Sequence, residues 1–175
     1  MEKLELKHLA PYLPYGLNGI HGDKRIDFNS ANIWVFTLNA KPIFRPLSDL
    51  TKEIEHNGEK FVPMEVIGKL IDNRCCHLYT DDTDENLFDV YGWDQRTSCS
   101  CPFPDCDCGK YDRTFILKYD SENIYFYSDT YFDGDPDCEA GTEIYSSYNY
   151  IQKLFEWHFN VFNLPEHLWV DINTL

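Results

Sequence analysis

Apolar positions along the chain change period several times, and each change predicts an element. Ile33, Trp34, Val35, Phe36, Thr37 and Leu38 form an unbroken β-branched and aromatic run between Asn32 and Asn39, which predicts a buried strand. Before it, Leu4–Leu9 is too short for more than one turn or a brief strand, and Pro11 and Pro14 end any helix there. Residues 16–29 read as turns. After it, Ser48 is placed to cap a helix that carries Leu50 and Ile54 on one face and leaves through Asn57 and Gly58. Pro63 at a first helical position predicts a second short helix burying Met64, Ile67 and Leu70.

Residues 72–112 show little periodicity and many turn formers, which predicts an irregular insertion. Thr114–Tyr119 and Asn123–Asp129 are β-prone runs joined by Asp120, Ser121 and Glu122, the pattern of a hairpin. An acidic loop follows at 133–139. Ser147 then opens the strongest helical stripe in the chain, Ile151, Leu154, Phe155, His158 and Phe162, widened by Trp157, Phe159 and Val161. Leu164 and Pro165 stop it, and Leu168, Val170 and Ile172 alternate like a last strand. Together these predict one α+β domain over 1–175. A small antiparallel sheet packs with a long C-terminal amphipathic helix and two short helices, and 72–112 is an acidic, cysteine-rich insertion.

Charge sharpens this picture. The 175 residues carry 30 acids against 15 Lys and Arg, a formal charge of -15, beyond the magnitude of about 2–8 usual for a small soluble domain. Residues 1–71 balance at nine acids and nine bases, whereas 72–143 hold eighteen acids against five bases, a net of -13. Direct binding to nucleic-acid phosphates is therefore disfavoured, and a basic partner surface is favoured over it. Within the acidic stretch the candidate partner-binding carboxylates are Asp81, Asp82, Asp84 and Glu85, and Asp133, Asp135 and Asp137; the plainer alternative is a solvated acidic face. No apolar run approaches the roughly 20 residues of a membrane span. The N-terminal MEKLELKHLAPYLPYG lacks the apolar core of a secretion signal, so a cytoplasmic protein is expected.

Seven cysteines occur, four of them within ten residues: Cys99, Cys101, Cys106 and Cys108. In a reducing compartment such clustering points to metal more than to disulfides. Two Cys-x-Cys pairs around a Pro-Phe-Pro turn could supply the four thiolates of a structural zinc, about 2.3 Å from each sulfur. Cys75, Cys76, His77 or Cys138 could replace some of them, and reduced thiols in a loop are the competing reading. Asp133-Gly-Asp-Pro-Asp137 begins like a calcium loop but carries Cys138 and Ile144 where an EF-hand needs Gly and Glu. No phosphate-binding glycine loop, nucleophile elbow or zinc-protease motif is present, so no catalytic residue is assigned. His158 reads as a hydrogen-bonded core histidine.

Three stretches carry a resemblance: LKHLAPYLPYGL at 6–17, PLSDLTKEIEHNGEKFVP at 46–63 and IQKLFEWHFNVFNLPEHLWVDINTL at 151–175. They resemble a family of short proteins, without assigned activity, encoded by Bacteroidetes-type bacteria and by their phages and prophages. The resemblance covers both ends and the first third of the chain, not the acidic middle. It implies a small accessory protein of a mobile element in a bacterial cytoplasm. By analogy with anti-CRISPR and DNA-mimic proteins, it implies a non-enzymatic inhibitor that occupies the nucleic-acid groove of a host defence protein. The alternative is a zinc-stabilised adaptor docking through Phe103, Trp93 and neighbouring aromatics. A metal-dependent hydrolase ranks below both.

Overall fold

The computed structural model describes residues 3–29, 34, 39–71, 75–79, 89–95, 112–132 and 139–175; within these, only the backbone is described at 75–79, 89–95, 112–116, 129–132 and 139–141. The fold is α+β, with short helices and three sheets, and it divides into two compact units. Unit 1 comprises 1–49, 121–124 and 148–175; unit 2 comprises 50–120 and 125–147.

Unit 1 begins with one helical turn, α1 (Leu6–Leu9), that continues as a 3-10 helix over Ala10–Tyr15. The prolines end the α-helix as expected, but the tighter 3-10 winding accommodates Pro11 and Pro14. The turns expected over 16–29 are instead a hairpin, β1 (Asn18–His21) and β2 (Lys24–Asp27). His21 pairs with Lys24 across a two-residue loop whose first position, Gly22, has φ 59°. Only a residue tolerant of positive φ closes such a loop without strain. Gly19 in β1 is required for a second reason. A Cβ there would lie 2.2 Å from the Phe28 ring and 2.7 Å from the Lys41 carbonyl oxygen. β3 (Lys41–Phe44) pairs antiparallel with β1, and β11 (Val170–Asp171) adds to β3 in parallel, so the sheet order is β11-β3-β1-β2. Of the strand expected at 33–38, the one described residue, Trp34, is a 3-10 residue and 58% exposed.

The helix expected from Ser147 to Phe162 is α3 (Tyr148–Glu156), nine residues long. Its stripe is buried at Ile151, Leu154 and Phe155 as expected. It stops early because His158 takes φ 59°, and the two bonds of a Schellman cap close over it: the His158 amide donates to the Phe155 carbonyl at 3.1 Å, and the Phe159 amide to Leu154 at 2.9 Å. The chain then turns to the sheet, where the Arg45 amide donates to the His158 carbonyl and the Asn160 amide to the Arg45 carbonyl, 2.8 and 2.9 Å. Phe159, bridged to Arg45, and Val161, in the turn that follows, are therefore buried outside any helix. The alternation at 168–172 forms a strand at Val170–Asp171 alone, between 3-10 turns.

In unit 2, the helix expected between Ser48 and Gly58 is a 3-10 turn, Leu47–Asp49 in unit 1, followed by a hairpin, β4 (Ile54–His56) and β5 (Glu59–Phe61). Asn57 and Gly58, with φ 54° and 84°, form its two-residue loop. Both values are positive, as a primed hairpin turn demands. α2 (Pro63–Ile71) forms as expected with Met64 and Ile67 buried, but Leu70 is 50% exposed. The region 72–112, expected to be irregular, contains β6 (Cys75–Tyr79) and β7 (Asp89–Gln95). β8 (Asp112–Asp120) and β9 (Tyr125–Phe132) form the expected hairpin, with longer strands, and β10 (Glu139–Tyr145) follows. These five make an antiparallel meander, β10-β9-β8-β7-β6, and α2 packs against β6 and β7.

Candidate protein-binding surface

The two units divide the charge almost as cleanly as the sequence does. Unit 2 holds 21 acids against 8 bases, and unit 1 holds 9 against 7. The acidic field therefore belongs to the unit built on the five-stranded meander. The zinc ligands expected at Cys99, Cys101, Cys106 and Cys108, and the carboxylates Asp81, Asp82, Asp84, Glu85, Asp133, Asp135 and Asp137, lie outside the described residues. So does Cys138, whereas Cys75 and His77 stand in β6, on either side of an irregularity in its register with β7. Among the described residues no group of three or more His, Cys, Asp or Glu is gathered as a metal site would need.

What the described part of unit 2 presents is the β8–β9–β10 end of the sheet. Alternation sends Leu117, Tyr119, Phe126 and Ser128 inward, all buried. Tyr119 and Phe126 are cross-strand partners with ring centroids 5.0 Å apart. Burial, then the charge of Asp120, pushes the Tyr119 phenol well above its ordinary range. At the edge, Tyr145 closes this layer: its hydroxyl donates to Glu143 at 2.9 Å and lies 3.0 Å from the Ser128 hydroxyl.

The opposite face carries Lys118, Asp120, Tyr125, Tyr127, Thr142 and Ile144. Tyr125 and Tyr127 meet edge to face at 6.0 Å. The Tyr125 phenol is raised by partial burial and by the hydrogen bond it donates to Asp120. Ile144 pairs with Tyr127 on one side and is 62% exposed. This face was legible in part: the alternating Thr-Glu-Ile-Tyr of β10 is a strand signal that the surrounding acidic loop concealed.

Unit 1 carries a different polar set. Arg45 faces Asp49 and Asp171; burial lowers its guanidinium, and the two carboxylates work against that shift. Asp49, 5% exposed, accepts a 2.7 Å hydrogen bond from Nδ2 of the Asn173 side chain. These groups tie the C-terminal turn to β3. His158 is half-buried with Nε2 3.0 Å from the Tyr15 carbonyl oxygen, a structural role of the kind expected. A cleft of about 420 Å³ opens beside α1, lined by Lys3, Glu5, Lys7, His8, Phe162, Asn163 and Leu164. Its Lys7 is 3.0 Å from Glu5, and His8 Nδ1 accepts from the Glu5 amide, so these side chains find partners within the wall itself. No helix among the described residues is long and apolar enough to cross a membrane. No family model, no curated protein and no solved structure matches the chain.

Proposed function

We propose that this is a non-enzymatic acidic binding protein whose unit 2 covers a basic surface on a protein partner. The supporting observation is the segregation of charge: a fold that needed carboxylates only to stay in solution would not collect a net -13 on one unit and -2 on the other. Carboxylates that dense repel one another within a Debye length of about 8 Å, a cost to folding that a basic partner would relieve. The partner class that fits best is a protein whose basic surface holds nucleic-acid phosphates, and the biological setting is inhibition of a host defence protein by a mobile element. A second reading rests on the cysteine spacing: a zinc clamped by Cys99, Cys101, Cys106 and Cys108 would hold the stretch between β7 and β8 as an adaptor surface.

Salt and competition distinguish them. Reversing Asp81, Asp82 and Asp84 to Lys should leave the melting temperature within a few degrees, since this reading holds them on a solvent-facing surface, where charges contribute little to stability. It should weaken binding to a basic partner, and nucleic acid should compete for the same surface. A complex indifferent to these reversals and to salt between 50 and 200 mM, roughly the range over which phosphate contacts are screened, would favour the adaptor.

A further inference from the structure

β10 stands at the end of the five-stranded order, paired with β9 on one side. Among the described residues no strand pairs with its outer side. Natural edges are usually guarded by Lys, Pro, a bulge or an inward-pointing charge, and Glu143, paired with inward-facing Ser128, is such a charge, one that a cationic neighbour would neutralise. Here the register shift between Glu139 and Gly141 breaks only the start of the strand, and Thr142-Glu143-Ile144-Tyr145 runs on in regular register with neither Pro nor Lys.

Two side chains on this run lack the neighbour a further strand would supply. Ile144 has Tyr127 across from it on β9, yet is 62% exposed because its other flank is open. Glu143, on the opposite face, is exposed although its carboxylate accepts from Tyr145. A strand added about 4.8 Å away would place one residue directly opposite each. The one opposite Ile144 would be apolar and the one opposite Glu143 cationic. A second copy of this chain fits poorly, because it would bring a second unit of net -13 against the first.

The geometry points to β10 as a docking edge that accepts, by backbone pairing, an extended segment of a partner protein with alternating basic and apolar side chains. This rests on the acidic-surface reading above and gives it a place and a binding mode. Backbone hydrogen bonds hold the segment, Ile144 sets its register, and the field of unit 2 selects its sign.

The probe is a capped seven-residue peptide of alternating arginine and valine, with a control of the same sequence N-methylated at alternate residues, so that charge is kept and pairing is lost. At 50 mM salt the first peptide should bind at least tenfold more tightly than the control. It should slow hydrogen exchange of amides within 142–145, and Ile144→Ser, which leaves the net charge unchanged, should weaken it by up to about fivefold, the range of one cross-strand pair. If both peptides bind alike, salt-sensitively and without protection at 142–145, edge docking is overturned and the acidic-surface reading survives. If neither binds, both are overturned. Protection of 142–145 that rises with protein concentration, together with a dimer in sedimentation, would assign the edge to a second copy and also overturn the proposal.

Discussion

Tyr12 shows how much one residue can hold in a chain of this size. Its ring is fully buried against Phe44 and Phe155, at centroid distances of 4.7 and 4.9 Å. Its hydroxyl donates to the Phe159 carbonyl at 2.6 Å and accepts from the Val161 amide at 3.1 Å. A segment near the start of the chain is thereby fastened to one 147 residues later. Tyr12→Phe keeps the packing but removes both hydroxyl bonds, leaving the Val161 amide and the Phe159 carbonyl with their mutual bond at 2.8 Å, so it should cost about 0.5–1.5 kcal/mol by urea unfolding. Gly19→Ala should cost more than its added methyl would suggest, because the Cβ has no space between Phe28 and the Lys41 carbonyl and the hairpin must shift. Tyr119 gives a pH signature. Its pKa is raised in the folded state, so its contribution is intact below the ordinary phenol value of about 10 and is lost as pH climbs above it. Stability should fall through that alkaline range, and Tyr119→Phe should flatten the fall; an unchanged slope would place the effect elsewhere.

For the elements, α3 is the clearest test of what periodicity can tell. Its stripe correctly marks Ile151, Leu154 and Phe155 as core, and Phe155→Ala should cost about 3–5 kcal/mol by thermal or chemical unfolding. Its length was not legible, because the cap at 158 is a histidine in a conformation that glycine usually supplies, held by the Tyr15 carbonyl and by the Schellman bonds. The pair Leu50 and Ile54 has helical spacing but belongs to a turn and a strand. Here the Asn57-Gly58 turn outranks the period, since two consecutive positive φ values select a two-residue hairpin loop and leave no room for a helix exit. The Gly22-Asp23 loop, with a positive φ at Gly22 alone, was missed for another reason: the short strands on either side of it read as turns. α2 and the β8–β9 hairpin, whose patterns and boundary residues agree, were readable. The parallel addition of β11 to β3 was not, because two residues carry no period and the pairing depends on contacts more than 120 positions away.

At the scale of the whole molecule, the charge map was the most legible feature of the candidate site, because charge is read directly from the sequence and the units preserve its segregation. The proposed docking edge was not, since strand order is a property of pairing. If the cysteine cluster binds metal, protein prepared without chelator should hold close to one zinc per chain by elemental analysis, and Cys101→Ser or Cys106→Ser should release it; a metal-free chain of unchanged stability would remove zinc from the account. The division into units also bears on synthesis. Apart from 121–124, unit 2 lies within the continuous stretch 50–147, whereas unit 1 needs α3, β11 and the Phe159 and Val161 backbone from 148–175 to meet Tyr12 and β3. In a nascent chain stalled on a linker after residue 147, the acidic meander can therefore close while the first 49 residues still wait for their partners. Protease applied to stalled nascent chains should find the meander resistant before the N-terminal segment is. The part proposed to meet a partner would then hold its fold without the last 28 residues of the chain.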